Sequence, residues 1–257
     1  RANFVLGSQQ RLALKWLKKN LSLGSSILEI GFGAGYFLAI LERSGFKAMG
    51  VEVAVAPVKL LKEKGFKVHL GSINSIPSHW ESPRVVVLFE VVEHLSNPVE
   101  FLSNIYKCFP KAFLILSAPS PKRWNLRLGY REHHDFPPYH LTRWNEKSLT
   151  FALKKAGYKK VKIFFPPIDP AEFYLVGVGF LLANLKLLNM RVPTKTLKDK
   201  KGRPYLSKLI NKAFMIFAPL NDIGIRISRI LLKPLASLLS RRGWSSGSFL
   251  AIAFPRR

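Results

Sequence analysis

Short apolar runs alternate along this chain with longer stretches whose apolar side chains recur at helical spacing. Seven runs have the length and composition of strands, and they lie at 27–30, 47–52, 66–70, 84–89, 112–117, 161–165 and 248–254. Helical patterns lie between or before them, at 8–20, 36–43, 54–64, 98–109 and 146–156. Strands that alternate with helices of this length predict an α/β fold with a doubly wound, mostly parallel sheet.

The alternation stops after the sixth run. Residues 172–243 have a helical pattern rich in Leu, Ile and Phe, and the last apolar run follows them. We therefore predict a sheet domain made of 1–170 and 244–257, with an inserted helical region at 171–243 before the last strand. The apolar stretch Phe173–Leu185 has 13 residues, which is too short for a helix that crosses a bilayer.

The inserted region combines apolar stripes with basic faces. One stripe consists of Ile223, Ile227, Ile230, Leu231, Leu235 and Leu238. Arg226, Arg229 and Lys233 fall on another face, Pro234 is expected to kink the helix, and residues 206–217 repeat the pattern. Such stripes are typical of helices that lie in a membrane interface. The alternatives are helices that pack on each other over the acceptor pocket, and a surface that binds RNA or another polyanion.

Charge and cysteine content limit the partners and the compartment. The net charge is +26, and residues 191–257 carry 15 Lys and Arg against two acids. This balance predicts an anionic partner, which could be an anionic membrane surface, an acidic substrate or, with less support, nucleic acid. The single cysteine, Cys108, excludes an internal disulfide and predicts a reducing compartment. We expect a cytoplasmic protein without a signal peptide at Arg1, with peripheral membrane attachment as one alternative.

The first strand leads into a turn with three glycines at alternate positions. Glu29 precedes Gly31, Gly33 and Gly35, so the spacing differs from the G-x-G-x-x-G of dinucleotide sites. A carboxylate beside the ligand suits an amine rather than a diphosphate. Glu52 ends the next strand, where an acid can hold a ribose diol. Together the two acids predict a site for S-adenosylmethionine (SAM).

Two later motifs carry a family resemblance. The fourth strand is followed by Glu90-Val91-Val92-Glu93-His94-Leu95-Ser96-Asn97-Pro98, and a later loop contains Tyr139-His140-Leu141-Thr142-Arg143-Trp144. With the glycine turn, these motifs resemble class I SAM-dependent methyltransferases of the type 11 and type 23 branch, and Glu90–His94 resembles the ubiquinone-pathway O-methyltransferases. The resemblance implies a Rossmann-like, seven-stranded sheet whose last strand runs antiparallel between strands five and six.

The resemblance also implies which residues bind the methyl donor. These are Glu29, Gly31, Phe32, Gly33, Gly35, Glu52, Ser72, Ile73 and Phe89. Ser72 departs from the family pattern, because many relatives have an Asp there that meets the adenine amine. We expect backbone groups and packing by Ile73 to replace that contact.

The acceptor chemistry is expected at the second and third motifs. Methyl transfer to a hydroxyl needs alignment of the acceptor and a group that takes its proton, and Glu93, His94 and His140 are the catalytic candidates. Glu90, Glu93 and His94 share one face of a helical turn. With His140, they could hold a divalent cation such as Mg²⁺, as in the small-RNA 3′-terminal 2′-O-methyltransferases that this motif also resembles. A metal-free base and a structural role remain alternatives, and we predict a solvated loop at 133–135.

The predicted function is SAM-dependent methyl transfer, with O-methylation of a small or lipid-linked acceptor as the favoured reaction. One alternative is a metal-assisted RNA 2′-O-methyltransferase, in which Trp124, Tyr130 and Trp144 could stack on bases. A second alternative is a non-catalytic SAM-fold module that binds at a membrane surface.

Overall fold

Seven strands of the described residues form one sheet. The computed structural model describes residues 6–127, 135–173 and 224–256. The strands are β1 (Ser26–Ile30), β2 (Lys47–Glu52), β3 (Lys67–Leu70), β4 (Val85–Phe89), β5 (Phe113–Pro119), β6 (Lys160–Phe164) and β7 (Ser248–Phe254). Their order across the sheet is β3-β2-β1-β4-β5-β7-β6.

All strand pairs are parallel except the two that involve β7. β7 runs antiparallel to β5 and to β6. Ala251 of β7 lies opposite Leu116 of β5 on one side and opposite Ile163 of β6 on the other. The predicted α/β class, the doubly wound sheet and the antiparallel seventh strand are confirmed. The strand limits differ from the predicted ones by two residues at most.

Helices cover both faces of the sheet. Their bounds are α1 (Ser8–Asn20), α2 (Tyr36–Arg43), α3 (Val55–Glu63), α4 (Pro98–Cys108), α5 (Trp124–Arg127) and α6 (Glu146–Lys155). One apolar core joins α1, α2 and α3 to the sheet, and the other joins α4 and α6 to it. Because strand side chains alternate between faces, Leu28 and Ile27 enter opposite cores. β4 is buried along its whole length, as its continuous apolar run predicted.

The chain divides into two compact units. The first consists of residues 1–167 and 243–257 and contains the sheet, and the second consists of residues 168–242. In the second unit, residues 170–173 and 224–231 are helical, and α7 (Lys233–Arg241) follows the latter after a break at Leu232. Pro234 lies in the first turn of α7, where a missing N–H is tolerated, so the predicted kink is present.

No helix among the described residues is long and apolar enough to span a membrane. The predicted helix at 206–217 and nearly all of the apolar stretch Phe173–Leu185 lie outside the described residues.

Candidate active site at the carboxyl edge of the sheet

The turn between β1 and α2 has the backbone conformation that its glycines predicted. Gly31, Gly33 and Gly35 have φ of 72°, 51° and 75°, in the left-handed region that other residues rarely adopt. A Cβ at Gly31 would lie 2.8 Å from the Val91 side chain, whereas a Cβ at Gly33 would meet no atom within 4 Å. Gly33 therefore borders open space at the edge of the sheet where a ligand could approach.

Glu52 ties the end of β2 to this turn. Its Oε2 accepts a hydrogen bond from the N–H of Gly33 at 3.0 Å. Its Oε1 accepts from the N–H groups of Val53 and Ala54, at 2.8 and 3.1 Å. These hydrogen bonds hold the carboxylate in place beside Gly33. A carboxylate that is held in this way is suited to bind a diol.

Glu29 is a buried carboxyl group with an unused oxygen. Its residue exposure is 3%, and Oε2 has no hydrogen-bond partner among the described residues. Burial raises the pKa of Glu29 well above its usual value, a hydrogen bond from the backbone of Leu38 lowers it, and the charge of Glu52 raises it. A ligand ammonium group at Oε2 would favour the charged form and supply the missing partner.

Three of the predicted cofactor residues, Phe32, Phe89 and Ile73, have buried side chains. Phe32 packs into the core, and its ring would lie 2.6 Å from a Cβ at Gly50. Phe89 is buried against Phe37, with ring centroids 4.8 Å apart. Ile73 is also a core side chain and lines a pocket of about 280 Å³ with Trp80 and Cys108.

Ser72 is exposed, and its N–H donates to Ser75 Oγ at 3.0 Å. Because the Phe32 side chain is in the core, its backbone is the part that remains for a ligand.

Glu90 has a strained backbone at the end of β4. Its φ is 53°, and no other non-glycine residue in the described part of the chain has a positive φ. Residues in such sparsely populated conformations cluster at functional sites. Ser117 Oγ donates to Glu90 Oε1 at 2.5 Å. Burial raises the pKa of Glu90, and hydrogen bonds with Ser117 and Ser248 and the charge of Arg123 offset part of the rise.

Glu93 lies in the 3₁₀ turn Val92–His94 and is fully buried. Neither carboxyl oxygen has a hydrogen-bond partner among the described residues. Burial, with the nearby charge of Glu90, raises the pKa of Glu93 to about 8. The group is therefore mostly protonated at neutral pH, and it can donate or accept a proton near that pH.

The ring of His94 is oriented by the later motif. Nδ1 lies 2.7 Å from the carbonyl oxygen of Tyr139. Since a carbonyl only accepts hydrogen bonds, Nδ1 is the donor, and in a neutral ring Nε2 is left as the proton acceptor. The His140 ring lies edge to face with it, at a centroid distance of 5.0 Å.

Hydrogen bonds to backbone carbonyls join the two motifs across 48 to 50 residues of sequence. The N–H groups of Leu141 and Thr142 both donate to the carbonyl of Glu93, at 2.8 and 3.1 Å. Thr142 Oγ1 donates to the carbonyl of Val92 at 3.2 Å. The structure therefore brings the three predicted catalytic residues, Glu93, His94 and His140, to one place.

Part of the predicted metal site also forms. One ligand atom each of Glu93, His94 and His140 lies within 4.8 Å of the others. Glu90, the fourth predicted ligand, is not in that group and instead hydrogen-bonds to Ser117. One carboxylate and two imidazoles are a donor set that suits a divalent transition metal better than Mg²⁺, which prefers oxygen ligands.

Asp135 is buried rather than solvated, so the prediction of a solvated loop is wrong at this position. It forms an ion pair with Arg123, and both side chains are about one-tenth exposed. Its Oδ1 also lies 3.8 Å from Nδ1 of His140. Arg143 donates to its backbone carbonyl at 3.1 Å. His133 and His134 lie outside the described residues.

A pocket of about 220 Å³ adjoins this cluster. Its lining includes Arg123, Leu126, His140, Arg143 and Trp144. Because His140 belongs both to the pocket and to the group with Glu93 and His94, a molecule in the pocket would lie next to the candidate catalytic residues.

The two described tryptophans proposed to stack on RNA bases differ in burial. Trp124 is buried, and Trp144 packs against the core with its Nε1 buried. The third aromatic residue of that hypothesis, Tyr130, lies outside the described residues. Burial of Trp124 leaves its ring little surface for stacking, whereas stacking on Trp144 stays a prediction, since that residue lines the pocket of about 220 Å³.

Ser117 and Arg123 were not predicted. Ser117 pairs in register with Phe89, so the adjacency of β4 and β5 ends could have indicated that it lies beside Glu90. Arg123 has no comparable local signal, because its partner Asp135 is recognised only in the folded chain.

Comparisons with known proteins agree with this geometry. A family model described as a methyltransferase domain matches residues 6–163. A curated protein of Mycolicibacterium smegmatis, named a probable S-adenosylmethionine-dependent methyltransferase, is 27% identical over 141 residues. The matched part is 53% of this chain and 52% of that protein, so the chain spans about half the length of this relative.

Two solved structures share the fold at low sequence identity. A SAM-dependent methyltransferase from Archaeoglobus fulgidus has a TM-score of 0.51 and 19% identity, with 95% of this chain and 94% of that chain covered. The Haemonchus contortus phosphoethanolamine N-methyltransferase 2, in complex with phosphomonomethylethanolamine and S-adenosylhomocysteine, has a TM-score of 0.54 and 16% identity. The coverage is 96% of this chain and 52% of that chain.

Proposed function

The chain belongs to the methyltransferase domain family, in its class I SAM-dependent form, and from that membership we propose that it transfers the methyl group of SAM to an acceptor hydroxyl. The donor part of the proposal rests on the surroundings of Glu29. Its carboxyl group is buried, and Oε2 has no hydrogen-bond partner among the described residues. It lies one strand away from the carboxylate of Glu52, which is fixed by the N–H of Gly33. Two acids beside a left-handed glycine turn suit a ligand with an ammonium group and a diol.

The residues of the glycine turn would hold the methyl donor. Glu29 would bind the amino group of SAM, directly or through the backbone around it, and Glu52 would bind the ribose hydroxyls. Gly33 would allow close approach, since a Cβ there meets open space. SAM supplies an activated methyl group on a sulfonium, so the protein has to align the acceptor and remove its proton.

His94 is the proposed proton acceptor. Its Nδ1 is engaged by the Tyr139 carbonyl, which leaves Nε2 to accept a proton. The acceptor oxygen forms a bond to the methyl carbon as the carbon–sulfur bond breaks, the hydroxyl proton passes to His94, and S-adenosylhomocysteine leaves. His140, which lines the pocket, would orient the acceptor beside that nitrogen, and the buried Glu93 would act on the acceptor only through His94 and His140.

The acceptor is proposed to be small, or to be the small head of a lipid-linked molecule. The pocket of about 220 Å³ supports this, because its size suits one ring or a short chain. Its lining includes Arg143 beside the Arg123–Asp135 ion pair, and the positive charge of Arg143 favours an acceptor with oxygen-rich or anionic groups.

Binding of S-adenosylhomocysteine, measured by calorimetry, tests the donor site. Gly33→Arg should abolish binding, because the new side chain would occupy the open space of the turn. Gly24→Arg is the matched control: Gly24 also has a positive φ of 77° and no neighbour within 4 Å of an added Cβ. It precedes β1, at the opposite edge of the sheet. Binding that survives Gly33→Arg, or an equal loss in both variants, would refute the site.

Transfer from methyl-labelled SAM tests the acceptor class. Lipid, RNA and small-molecule extracts are incubated separately with the protein, with and without EDTA. Label in the lipid or small-molecule fraction, insensitive to EDTA, is the expected result. Label confined to RNA would contradict the proposed acceptor. Tight donor binding without transfer to any fraction would support the non-catalytic alternative.

The grouping of Glu93, His94 and His140 favours a second candidate, a metal-assisted transfer like that of the RNA 2′-O-methyltransferases. These three residues would hold the cation, which would lower the pKa of a bound hydroxyl. The buried position of Trp124 weakens the RNA part of this candidate. Activity that EDTA abolishes and a divalent cation restores would favour it over transfer by His94 alone.

A further inference from the structure

The helices at the end of the second unit expose several large apolar side chains. Ile230 and Leu231 are 74% and 70% exposed. Three further side chains are about half exposed, and together the five form what we term the exposed stripe: Ile227, Ile230, Leu231, Leu235 and Leu238. They belong to residues 224–231 and to α7, and they include five of the six residues of the predicted apolar stripe. The sixth, Ile223, lies outside the described residues.

The covered side of the same helices mixes apolar, small and polar residues, and Leu232 and Leu239 are partly buried on it. Ser228 and Ala236 are buried, and so is Ile225. Arg229, whose side chain is partly exposed, forms a two-pronged ion pair with the largely buried Asp169, at 3.2 and 3.0 Å. Ser240 Oγ likewise accepts a hydrogen bond from the N–H of Ile168 at 3.0 Å.

An exposed stripe of this length departs from the arrangement expected in water. An amphipathic helix of a water-soluble domain normally buries its Ile and Leu stripe and exposes small and polar residues. Here the polar contacts of Arg229 and Ser240 attach the helices to residues 168–169 of their own unit, and the apolar stripe faces outward. A contiguous exposed apolar surface of this kind marks a contact with a membrane or another protein.

The charge around the exposed stripe distinguishes between those partners. Residues 224–242 contain five Lys and Arg and no Asp or Glu. Arg229 is paired with Asp169. The other four are exposed, and they are Arg226, Lys233, Arg241 and Arg242. Such a surface is complementary to anionic lipid headgroups. A second copy of the chain would present the same positive charges to it, and like charges oppose that pairing.

We propose that the exposed stripe docks on an anionic membrane surface, with the side chains of Ile230 and Leu231 buried among the lipids and the basic residues at the headgroups. No described helix is long and apolar enough to span the bilayer, so the contact is interfacial. The inference concerns a surface and not the reaction, and it stands or fails independently of the proposed methyl transfer.

Vesicle sedimentation of the full chain tests the proposal. The protein should sediment with vesicles of equal parts phosphatidylglycerol and phosphatidylcholine, and much less with phosphatidylcholine alone. High salt should weaken the binding, by about fivefold for each basic residue that loses its attraction. The double variant Ile230→Ser, Leu231→Ser should lower the partition coefficient by about 100-fold, since each buried Ile or Leu side chain contributes about tenfold.

The matched control is Leu23→Ser combined with Phe151→Ser. These residues are also largely exposed, at 79% and 66%, and they belong to the sheet-containing unit. The control should bind anionic vesicles as the unsubstituted chain does. Equal losses in both double variants, or no sedimentation of the unsubstituted chain, would overturn the proposal. The proposal would also be overturned if the chain formed a dimer that the double variant Ile230→Ser, Leu231→Ser dissociates and that vesicles do not affect. The exposed stripe would then bind a second copy of the chain rather than a membrane.

Discussion

Replacement of Glu93 by Gln should change how the stability of the sheet-containing unit depends on pH. Glu93 is fully buried, its carboxyl oxygens lack partners among the described residues, and its pKa is raised from 4.5 to about 8. Between these two pH values the folded state keeps the proton while the unfolded state releases it. The free energy of unfolding therefore falls as pH rises through this window.

The size of the effect follows from the shift. Each pKa unit corresponds to about 1.4 kcal/mol, so the whole shift amounts to about 5 kcal/mol. Between about pH 5 and about pH 7, the buried acid should cost the unsubstituted chain about 2 to 3 kcal/mol of unfolding free energy. Glu93→Gln keeps the volume and polarity of the protonated side chain without the ionisation. The variant should thus gain stability relative to the unsubstituted chain as pH rises.

Urea unfolding followed by tryptophan fluorescence measures this difference. All five tryptophans lie in the sheet-containing unit, so the signal reports that unit. Glu63→Gln, at an exposed acid of α3, is the control, and its stability should follow the unsubstituted chain at every pH. A difference between Glu93→Gln and the unsubstituted chain that stays constant from about pH 5 to about pH 7 would contradict the inferred ionisation of Glu93.

Three further substitutions test other parts of the site. Glu29→Gln should raise the melting temperature of the ligand-free chain, since it removes a buried group whose ionisation is unfavourable. It should also weaken S-adenosylhomocysteine binding in calorimetry by about tenfold or more, since the ammonium contact is lost, and unchanged affinity would contradict that contact. His94→Gln should lower kcat by about 100-fold with little change in donor affinity, whereas equal losses of both would remove His94 from the role of base. Asp135→Asn should cost about 3 kcal/mol in urea unfolding by leaving the buried Arg123 unpaired. Its control is Glu81→Gln in the exposed pair with Lys47 at 3.8 Å, which should cost under about 1 kcal/mol.

The sheet and the donor end of the site could be predicted because their signals are local. The run that precedes Glu90 is apolar without interruption, and β4 is buried from end to end. The three glycines of the first turn all adopt the left-handed conformation that their spacing predicted. In both cases neighbouring residues alone determine the backbone, and the carboxyl ends of adjacent parallel strands then bring Glu29 and Glu52 to the same edge.

The other features of the site and of the second unit depend on contacts between distant residues, which the sequence alone does not reveal. Asp135 was expected in solvent, and its burial depends on Arg123, twelve residues away on another element. The orientation of the Ile and Leu stripe could not be predicted either, because periodicity gives the spacing of an apolar face without saying which side of the helix the fold will cover. Ile73 and Phe32 illustrate the same point at the cofactor end, where the positions were predicted but their side chains entered the cores.

The position of β7 determines when the sheet can be completed during synthesis. Leu114 of β5 and Val161 of β6 pair with Ala253, near the end of the chain, so β6 has no partner in the sheet until the ribosome has translated the inserted region. Strands β1 to β5 can pair as soon as they emerge, but one side of β5 stays open in the meantime. Open strand edges recruit other chains, and contacts of long sequence separation form slowly. A nascent chain that pauses between residues 168 and 242 would therefore be the species most in need of a chaperone.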